Sequence, residues 1–409
     1  MPDTADHTDR SFQVSVQEQL DSCFAELLTA RENSMIKSAV YQIYCADKDI
    51  WFSGSAGDTR PGSGEQASVD LPFHTASIAK TLTAILILQL FEDGKLGPDG
   101  LQSTIASFGL FSAEIIRDLL VFEGQPCGGD ITINQLLRHM SGMKDAMVDG
   151  ADGLAGDYGG MAPDSLIGKM FANPDRAGIS WKPWDSTKTD QADAGTFNFY
   201  LNSGFAKTPV NKPGEQFHYS DTGYVVLGLL AQHLTGLPLH RLYREWIFDP
   251  LGMASSYLAY VDDPELGPLR QPELEIWAGD MPCLTAEVNL SFDWAGGGLV
   301  STTGDLIRLL LGVEQGACFK SAETRDHMMD WLTPPGIKSP RRAVGRGLFN
   351  IDGGIDGLIG HSGAWGGKMF YDPATRVFFG GSANQSQAPN EWFLPLVDVV
   401  NNALGQKGV

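Results

Sequence analysis

The sequence predicts an α/β protein in which one antiparallel sheet, flanked by helices, is built from both ends of the chain and encloses an inserted all-helical domain. Two observations predict this class. Strand patterns occur near residues 38–55 and again after residue 347, whereas helical patterns fill the middle of the chain. The predicted sheet domain comprises residues 1–75 and 295–409, and the helical domain comprises residues 76–294, with the functional site between them.

The first predicted elements are a helix and a hairpin. Residues 14–30 place apolar side chains on one side of a helix. Two short β-rich runs follow, at residues 38–45 and 50–55, separated by the polar stretch 46–49. A loop rich in Gly, Ser and Pro at residues 59–68 leads to the next helix.

That next helix begins at Ser77 and is apolar on nearly every side, so it is predicted to be buried; Gly94 stands where helices commonly end. Ser77 and Lys80 are three residues apart and therefore share a helix face, so the hydroxyl and the amine can meet. Burial costs a lysine desolvation energy and lowers its pKa, which makes the amine a usable base. A single Ser-x-x-Lys match is weak by itself, because short patterns arise by chance.

The middle of the chain alternates helices with irregular segments. A short helix is predicted at residues 131–143, and Ser141-Gly142 explains its end, so His139 and Ser141 are assigned structural roles. Residues 144–212 lack periodicity and are predicted to form a lid or binding loop, with a covering insertion as the alternative. The later elements are helices at 225–234, 239–247, 306–311 and 391–404, and strands at 347–351, 358–361, 368–371 and 377–381.

Composition excludes several classes of function. The chain has 409 residues, of which 43% are hydrophobic, and a net charge of −21, which disfavours nucleic-acid binding. We expect no membrane span, because no apolar run is long enough, and the polar N-terminus does not resemble a signal peptide. The five scattered cysteines predict reduced thiols in a cytoplasmic protein. Neither the cysteines nor the histidines have metal-ligand spacing, so we expect no metal and no cofactor.

Three segments define a candidate site: Ser77-Ile78-Ala79-Lys80, Tyr219-Ser220-Asp221 and His361-Ser362-Gly363. Their order and spacing resemble the serine β-lactamase and penicillin-binding-protein superfamily. The tyrosine resembles the class C branch, which includes β-lactamases, DD-carboxypeptidases, D-aminopeptidases, amidases, family VIII esterases and acyltransferases. The segments "PGEQFHYSDTGYVVLGLL" and "GGGLVSTTGDLIRLL" also look like that family's framework, and the resemblance covers about residues 15 to 404.

The resemblance implies a β-lactamase/transpeptidase-like fold and a division of roles. Ser77 would be the nucleophile that forms an acyl-enzyme, and Lys80 and Tyr219 would remove its proton; which of the two is the base stays open, because they titrate together. The backbone N–H groups of Ser77 and of Ala364, on the edge strand, would form the oxyanion hole. Gly363 would allow a substrate to approach that strand.

Two residues depart from the best-known pattern of the family. Asp221 replaces a common asparagine; it would bind substrate or hold Lys80, with an Asx-turn as the structural alternative. His361 replaces the lysine typical of β-lactamases and attracts a substrate carboxylate less strongly. Ser362 and Trp365 are further candidates for substrate binding, and Trp365 has simple packing as its alternative.

These departures favour a serine hydrolase that acts on small carboxylic esters. The alternatives are an amidase or D-aminopeptidase, an acyltransferase to an alcohol or amine, a β-lactamase or DD-peptidase, and a non-catalytic binding protein on the same fold. The expected partner is a small-molecule substrate, with no nucleic acid and no membrane. The oligomeric state is not predicted.

Overall fold

The computed structural model describes residues 4–154, 161–172, 195–261, 272–288, 290–292, 294–338, 341–354 and 356–405. Its strands are Ser38–Cys45 (β1), Ile50–Gly57 (β2), Phe73–His74 (β3), Val121–Phe122 (β4), Gln125–Pro126 (β5), Tyr257–Leu258 (β6), Trp277–Ala278 (β7), Met281–Pro282 (β8), Leu299–Ser301 (β9), Arg341–Val344 (β10), Phe349–Ile351 (β11), Leu358–Ser362 (β12), Gly367–Asp372 (β13) and Val377–Ser382 (β14). Its α-helices are Thr4–Thr29 (α1), Ala79–Glu92 (α2), Ala113–Asp118 (α3), Ile133–Leu137 (α4), Leu166–Ala172 (α5), Gly195–Asn202 (α6), Asp221–Thr235 (α7), Leu239–Tyr243 (α8), Asp249–Leu251 (α9), Trp294–Gly297 (α10), Thr303–Glu314 (α11), Ala322–Met328 (α12) and Leu394–Ala403 (α13).

The main sheet has seven antiparallel strands in the order β10-β11-β12-β13-β14-β1-β2. The N-terminal strand β1 pairs with the C-terminal strand β14, from Val40 opposite Ser382 to Cys45 opposite Val377. Both ends of the chain therefore build one sheet, and the predicted fold class is confirmed.

Helices cover both faces of this sheet. On one face α1 and α13 pack over an apolar cluster that includes Leu20, Val377 and Phe379. On the other face α11 contacts β14 and β1, and Phe378 joins the larger core around α2. Successive side chains of β14 thus point into the cores on opposite faces of the sheet, as the two-residue period of a strand requires.

Helix α2 runs through the larger core. Its side chains are buried on almost every side, and it contacts α7, α10 and α12. The chain leaves the helix at Gly94, whose φ of 67° suits a residue without a Cβ. The prediction of a buried helix from Ser77 onward is confirmed.

Several boundaries differ from the prediction. Helix α1 begins ten residues before the predicted start at residue 14, and strand β10 was not predicted. Within residues 144–212, α5 and α6 are regular helices, while residues 155–160 and 173–194 lie outside the described residues. The domain boundaries at residues 75/76 and 294/295 stay predictions.

Candidate active site

Ser77 lies at the turn that leads from strand β3 into helix α2. The preceding residue, Ala76, has a φ of 48°, a conformation that costs a residue with a Cβ energy. The turn places Ser77 in a short 3-10 segment, Ala76–Ile78, directly before α2. Lys80 Nζ donates a hydrogen bond to Ser77 Oγ at 3.1 Å, so the three-residue spacing brings the hydroxyl and the amine together.

Lys80 is buried with no exposed surface and has acceptors for each of its N–H groups. Besides Ser77 Oγ, Nζ donates to the backbone carbonyl of Gly296 at 2.7 Å and to Asp221 Oδ1. An ammonium group has three donors, and these three acceptors account for them. The adjacent carboxylate favours the charged form of the lysine.

Asp221 reaches Lys80 because it is the first residue of helix α7. Ser220 caps this helix, and its side chain accepts a hydrogen bond from the N–H of Gly223 at 3.4 Å. A carboxylate in the first helical turn is also stabilised by the helix dipole. The structure therefore brings Asp221 to Lys80.

Tyr219 extends from the same segment over Lys80. Its ring stacks on His139, with 4.2 Å between the centroids, and the Lys80 Nζ lies 4.9 Å from the ring centroid. Burial raises the pKa of Tyr219 above its usual range, while the nearby charge of Lys80 counteracts part of that rise. The phenol is therefore neutral in the resting protein, and its buried hydroxyl makes no hydrogen bond with the described residues.

His139 contacts both the ring of Tyr219 and the backbone of the next residue, Ser220. Its Nδ1 accepts a hydrogen bond from the N–H of Ser220 at 3.1 Å. Burial lowers the pKa of His139 well below its usual range, so the ring is neutral and can accept. The helix-end explanation alone missed this contact, which positions the segment that carries Tyr219.

His361 lies on β12 but does not line the pocket around Ser77. Its Nδ1 lies 2.8 Å from the carbonyl oxygen of Ser362, and its Nε2 is buried without a hydrogen-bond partner among the described residues. Burial, assisted by the charge of Lys80, lowers the pKa of His361 to about 3. The ring is thus a neutral wall beside Tyr219 and Phe349.

The predicted position of this strand was wrong. Strand β12 pairs with β11 on one side and β13 on the other, so it is not an edge strand. The reason proposed for Gly363 also differs: a Cβ at this position would lie 1.9 Å from the carbonyl oxygen of Thr75. The close neighbour that requires glycine is therefore the turn before Ser77.

Ala364 and Trp365 follow Gly363 in the chain and line the pocket around Ser77. The N–H of Ala364 makes no hydrogen bond with the residues that the structure describes. Both residues line one pocket together with Ser77 and Asp221. An oxyanion hole needs free N–H groups in the pocket that the nucleophile lines, and the roles of Ser77 and Ala364 in one stay predictions. Ser362 pairs with Lys368 across the sheet and does not line this pocket.

The pocket is a cavity of about 90 Å³ with mainly apolar walls. These walls consist of Met147, Val148, Ile167, Leu290, Phe292, Gly297 and Trp365. Met147, Val148 and Ile167 belong to the predicted binding segment 144–212, so the described part of that segment reaches the site. His74 also lines the pocket, and the sequence analysis did not single it out.

Arg341 is another residue that the sequence analysis missed. Its guanidinium carbon lies 5.4 Å from the ring centroid of Tyr219 and 4.8 Å from that of Phe349. Strand β10, which carries Arg341, has only a short pattern in the sequence, so nothing there pointed to it. Arg341 does not line the pocket around Ser77.

Within the described ranges, no group of three or more His, Cys, Asp or Glu side chains is arranged to hold a metal ion. The helices that the structure describes include none that is long and apolar enough to cross a bilayer. The described cysteines, Cys23, Cys45, Cys127, Cys283 and Cys318, are all free thiols.

The fold and the Ser77–Lys80 pair define a serine enzyme on an antiparallel sheet with helices inserted between its halves. A family model described as Beta-lactamase matches residues 32–393. The chain belongs to the β-lactamase family, as the three motifs predicted.

Individual relatives are distant. Penicillin-binding protein 4 of Amycolatopsis lactamdurans is 25% identical over 203 residues, which cover 49% of this chain and 40% of that protein. Esterase EstB of Burkholderia gladioli is 26% identical over 244 residues, which cover 58% of this chain and 50% of the esterase. The chain thus spans half or less of the length of these two relatives.

A solved structure extends the likeness over nearly the whole chain. The D-amino acid amidase from Ochrobactrum anthropi SV3, complexed with L-phenylalanine amide, superposes with a TM-score of 0.68 at 20% identity. The match covers 94% of this chain and 99% of the amidase. The family match confirms the prediction of an enzyme of the serine-hydrolase class, whereas the likeness to the amidase shows the fold alone. The activity and substrate of the whole protein are proposals.

Proposed function

We propose that the protein is a hydrolase that cleaves small carboxylic esters with an uncharged, apolar acyl group, through an acyl-enzyme on Ser77. The observation that carries this proposal is the 3.1 Å hydrogen bond between Lys80 Nζ and Ser77 Oγ at the floor of an apolar pocket. A serine needs an adjacent proton acceptor to act as a nucleophile, and this pair supplies one once the lysine has lost a proton.

In the proposed reaction Ser77 Oγ attacks the ester carbonyl, and its proton passes to the Lys80–Tyr219 pair. The developing oxyanion lies between the N–H groups of Ser77 and Ala364. The alcohol leaves with the proton held by the same pair, which closes the first half of the cycle. In the resting protein Lys80 is paired with Asp221 and Tyr219 is a neutral phenol, so the Lys80–Tyr219 pair must first lose one proton. The two groups titrate together, and the deprotonated pair then accepts the proton of Ser77.

The preference for an uncharged acyl group comes from the pocket lining. Among the described lining residues, Asp221 is acidic and engaged by Lys80, and none is a lysine or an arginine. A substrate carboxylate would therefore lose its hydration without gaining a charged partner. The loss of hydration disfavours β-lactams and D-Ala-D-Ala peptides, which carry a carboxylate. The esterase EstB among the relatives supports the ester proposal.

An amidase or D-aminopeptidase is the second candidate, because the D-amino acid amidase matches almost the whole chain. The likeness to this amidase shows the fold alone. The choice between ester and amide hydrolysis therefore depends on which leaving group the site can release. An amine leaves less readily than an alcohol and needs a stronger acid. An acyltransferase, a β-lactamase or DD-peptidase and a non-catalytic binder are the remaining alternatives.

A substrate panel separates these functions. We expect p-nitrophenyl butyrate to be hydrolysed with a kcat/KM at least about 10²-fold above that of the matching p-nitroanilide and of nitrocefin. Faster anilide cleavage would favour the amidase, and faster nitrocefin cleavage would overturn the argument from the pocket charges. Acid release that falls when an alcohol or amine is added, with matching ester or amide formation, would favour the acyltransferase.

Ser77→Ala tests the nucleophile. We expect turnover to fall by at least about 10⁴-fold, because removing a nucleophile disables the catalytic group as a unit. A fluorophosphonate should label the peptide that contains Ser77 in the wild type and in Ser107→Ala, a control at a surface serine, but not in Ser77→Ala. Absence of labelling and turnover in the folded wild type would favour the binding protein.

A cytoplasmic location stays part of this proposal. The free state of the described cysteines supports it, because thiols persist in reducing compartments.

A further inference from the structure

A histidine that none of the three motifs contains lies in the wall of the pocket. His74 ends strand β3, three residues before Ser77, and only 4% of its surface is exposed. It lines the same cavity as Ser77 and Ala364. Among the described residues that line this cavity it is the single imidazole, and His361 is not one of them.

A carboxylate fixes the orientation of this ring. His74 Nε2 lies 3.0 Å from Glu273 Oε2, and the hydroxyl of Tyr257 donates to Glu273 Oε1. Burial by itself would raise the pKa of Glu273, yet the contacts with His74 and Tyr257 hold that pKa below its usual range. Glu273 is therefore ionised at neutral pH and accepts hydrogen bonds from both side chains.

The ionised partner also fixes the tautomer of His74. A carboxylate only accepts, so Nε2 must carry the proton that it shares with Glu273. In the neutral ring this leaves Nδ1 with a lone pair, and Nδ1 makes no hydrogen bond with any described residue. A histidine held by a carboxylate on one nitrogen and free on the other has the arrangement of a general base.

The first half of the reaction does not need this base, because Lys80 already contacts Ser77 Oγ. The second half needs a group that faces the incoming acceptor in the pocket. Lys80 does not line the cavity, and Asp221, which does, is engaged by Lys80. Among the described residues that line the cavity, His74 is thus the side chain with a basic nitrogen available to a second molecule.

We propose that His74, oriented by Glu273, binds and deprotonates the acyl acceptor that releases the acyl group from Ser77. This inference rests on the proposed acyl-enzyme. The acceptor is a small hydroxyl compound, which is water in hydrolysis and an alcohol in transfer. Glu273 touches neither reactant and is a positioning residue.

The step balances without any further reactant. The O–H proton of the acceptor moves to His74 Nδ1 while its oxygen forms a bond to the acyl carbonyl carbon. The resulting tetrahedral intermediate collapses, the bond between that carbon and Ser77 Oγ breaks, and the proton on Nδ1 passes to Oγ. His74 and Ser77 end in their starting protonation states, and the acyl group leaves as an acid or an ester.

His74→Asn tests the proposal by separating the two half-reactions. With p-nitrophenyl butyrate we expect the first-turnover burst of p-nitrophenol to stay within about threefold of the wild-type rate, whereas the steady-state rate falls about 10²-fold. The butyryl adduct on Ser77 should then accumulate and be visible by mass spectrometry. Hydroxylamine, a nucleophile that needs no base, should release the adduct as the hydroxamate and restore turnover.

Glu273→Gln provides a second variant that keeps His74 in place. We expect a smaller fall in the steady-state rate, again without loss of the burst, and His233→Gln at the surface serves as the matched control. If both site variants slow the burst and the steady state equally, or if no adduct accumulates, His74 has only a structural role and the inference is wrong. If the fluorophosphonate does not label Ser77 in the wild type, the proposed function itself fails.

Discussion

Lys80 and Lys368 are both buried lysines, yet they differ in almost everything else. Lys80 has no exposed surface and Lys368 has 2%. Lys80 stands at the start of α2 in the active site, whereas Lys368 lies on β13 and contacts the segment before α13, behind the sheet. Burial is therefore common to a proposed catalytic lysine and to one with no place in the site.

The partners of the two ammonium groups explain the difference. Lys80 donates to a carboxylate, a carbonyl and the Ser77 hydroxyl. Among the described residues Lys368 has one hydrogen-bond acceptor, Asn390 Oδ1 at 3.3 Å. Burial lowers the pKa of Lys368 to about 8, although the charge of Glu391 opposes this shift. A low lysine pKa by itself is thus a poor sign of catalysis, and a hydroxyl within reach is a better one.

The largest expected effect is on turnover. Lys80→Met should lower kcat/KM for the ester by at least about 10³-fold, because the proton acceptor for Ser77 is lost. Lys368→Met, the matched control, should change kcat/KM less than about twofold. Comparable losses in the two variants would show that the contact with Ser77 is not what distinguishes the lysines.

Lys80→Met also leaves Asp221 without its cation, so the folding of this variant must be checked separately. The double variant Lys80→Met/Asp221→Asn removes both charges and should recover thermal stability while staying inactive. Recovery of activity in the double variant would contradict a role of Lys80 in proton transfer.

The second effect concerns stability against pH. Unfolded lysine has a pKa near 10.5 and folded Lys368 about 8, so the unfolded chain binds more protons between these values. The contribution of Lys368 to the free energy of unfolding therefore rises with pH from 8 to 10.5. Lys368→Met should remove this rise and stabilise the protein at pH 7 by on the order of 3 kcal/mol.

Urea unfolding of both proteins from pH 7 to 10.5 measures that difference directly. A constant difference between wild type and Lys368→Met across this range would mean that Lys368 titrates alike in the folded and the unfolded chain.

The third effect is a shift of a pH profile. Asp221→Asn removes the carboxylate that stabilises the charged form of Lys80, so a neutral lysine should become available at lower pH. We expect the acid limb of kcat/KM to move down by about one to two pH units. An unmoved limb would assign the titrating base to a group other than Lys80.

The smallest effect is expected at Asp145, a buried neighbour of Asp221. Burial and the charges of Asp221 and Asp149 raise the pKa of Asp145 well above its usual range, which favours the neutral form of its carboxyl. Asp145→Asn keeps a neutral side chain of the same shape and should change kcat/KM less than about threefold. A tenfold or larger loss would mean that Lys80 depends on a second carboxylate charge.

Features that depend on contacts between residues close in the chain were predictable from the sequence. Ser77 and Lys80 are three residues apart on one helix, and local geometry suffices to bring them together. The apolar pattern of α2 likewise implied its burial, and alternating patterns located β1, β2 and β12 to β14. Strand β10 was missed because its four residues carry no clear pattern, and β12 was misplaced because strand order depends on pairing between distant segments.

The sequence by itself determined the family, the buried helix and the identity of the candidate nucleophile with its lysine, because these depend on local periodicity and short motifs. Only the tertiary structure decided which charges meet. Asp221 reaches Lys80 across 141 positions of the chain and Glu273 reaches His74 across 199. Contacts of that range depend on how the sheet and helices pack, and no local pattern in the chain encodes them.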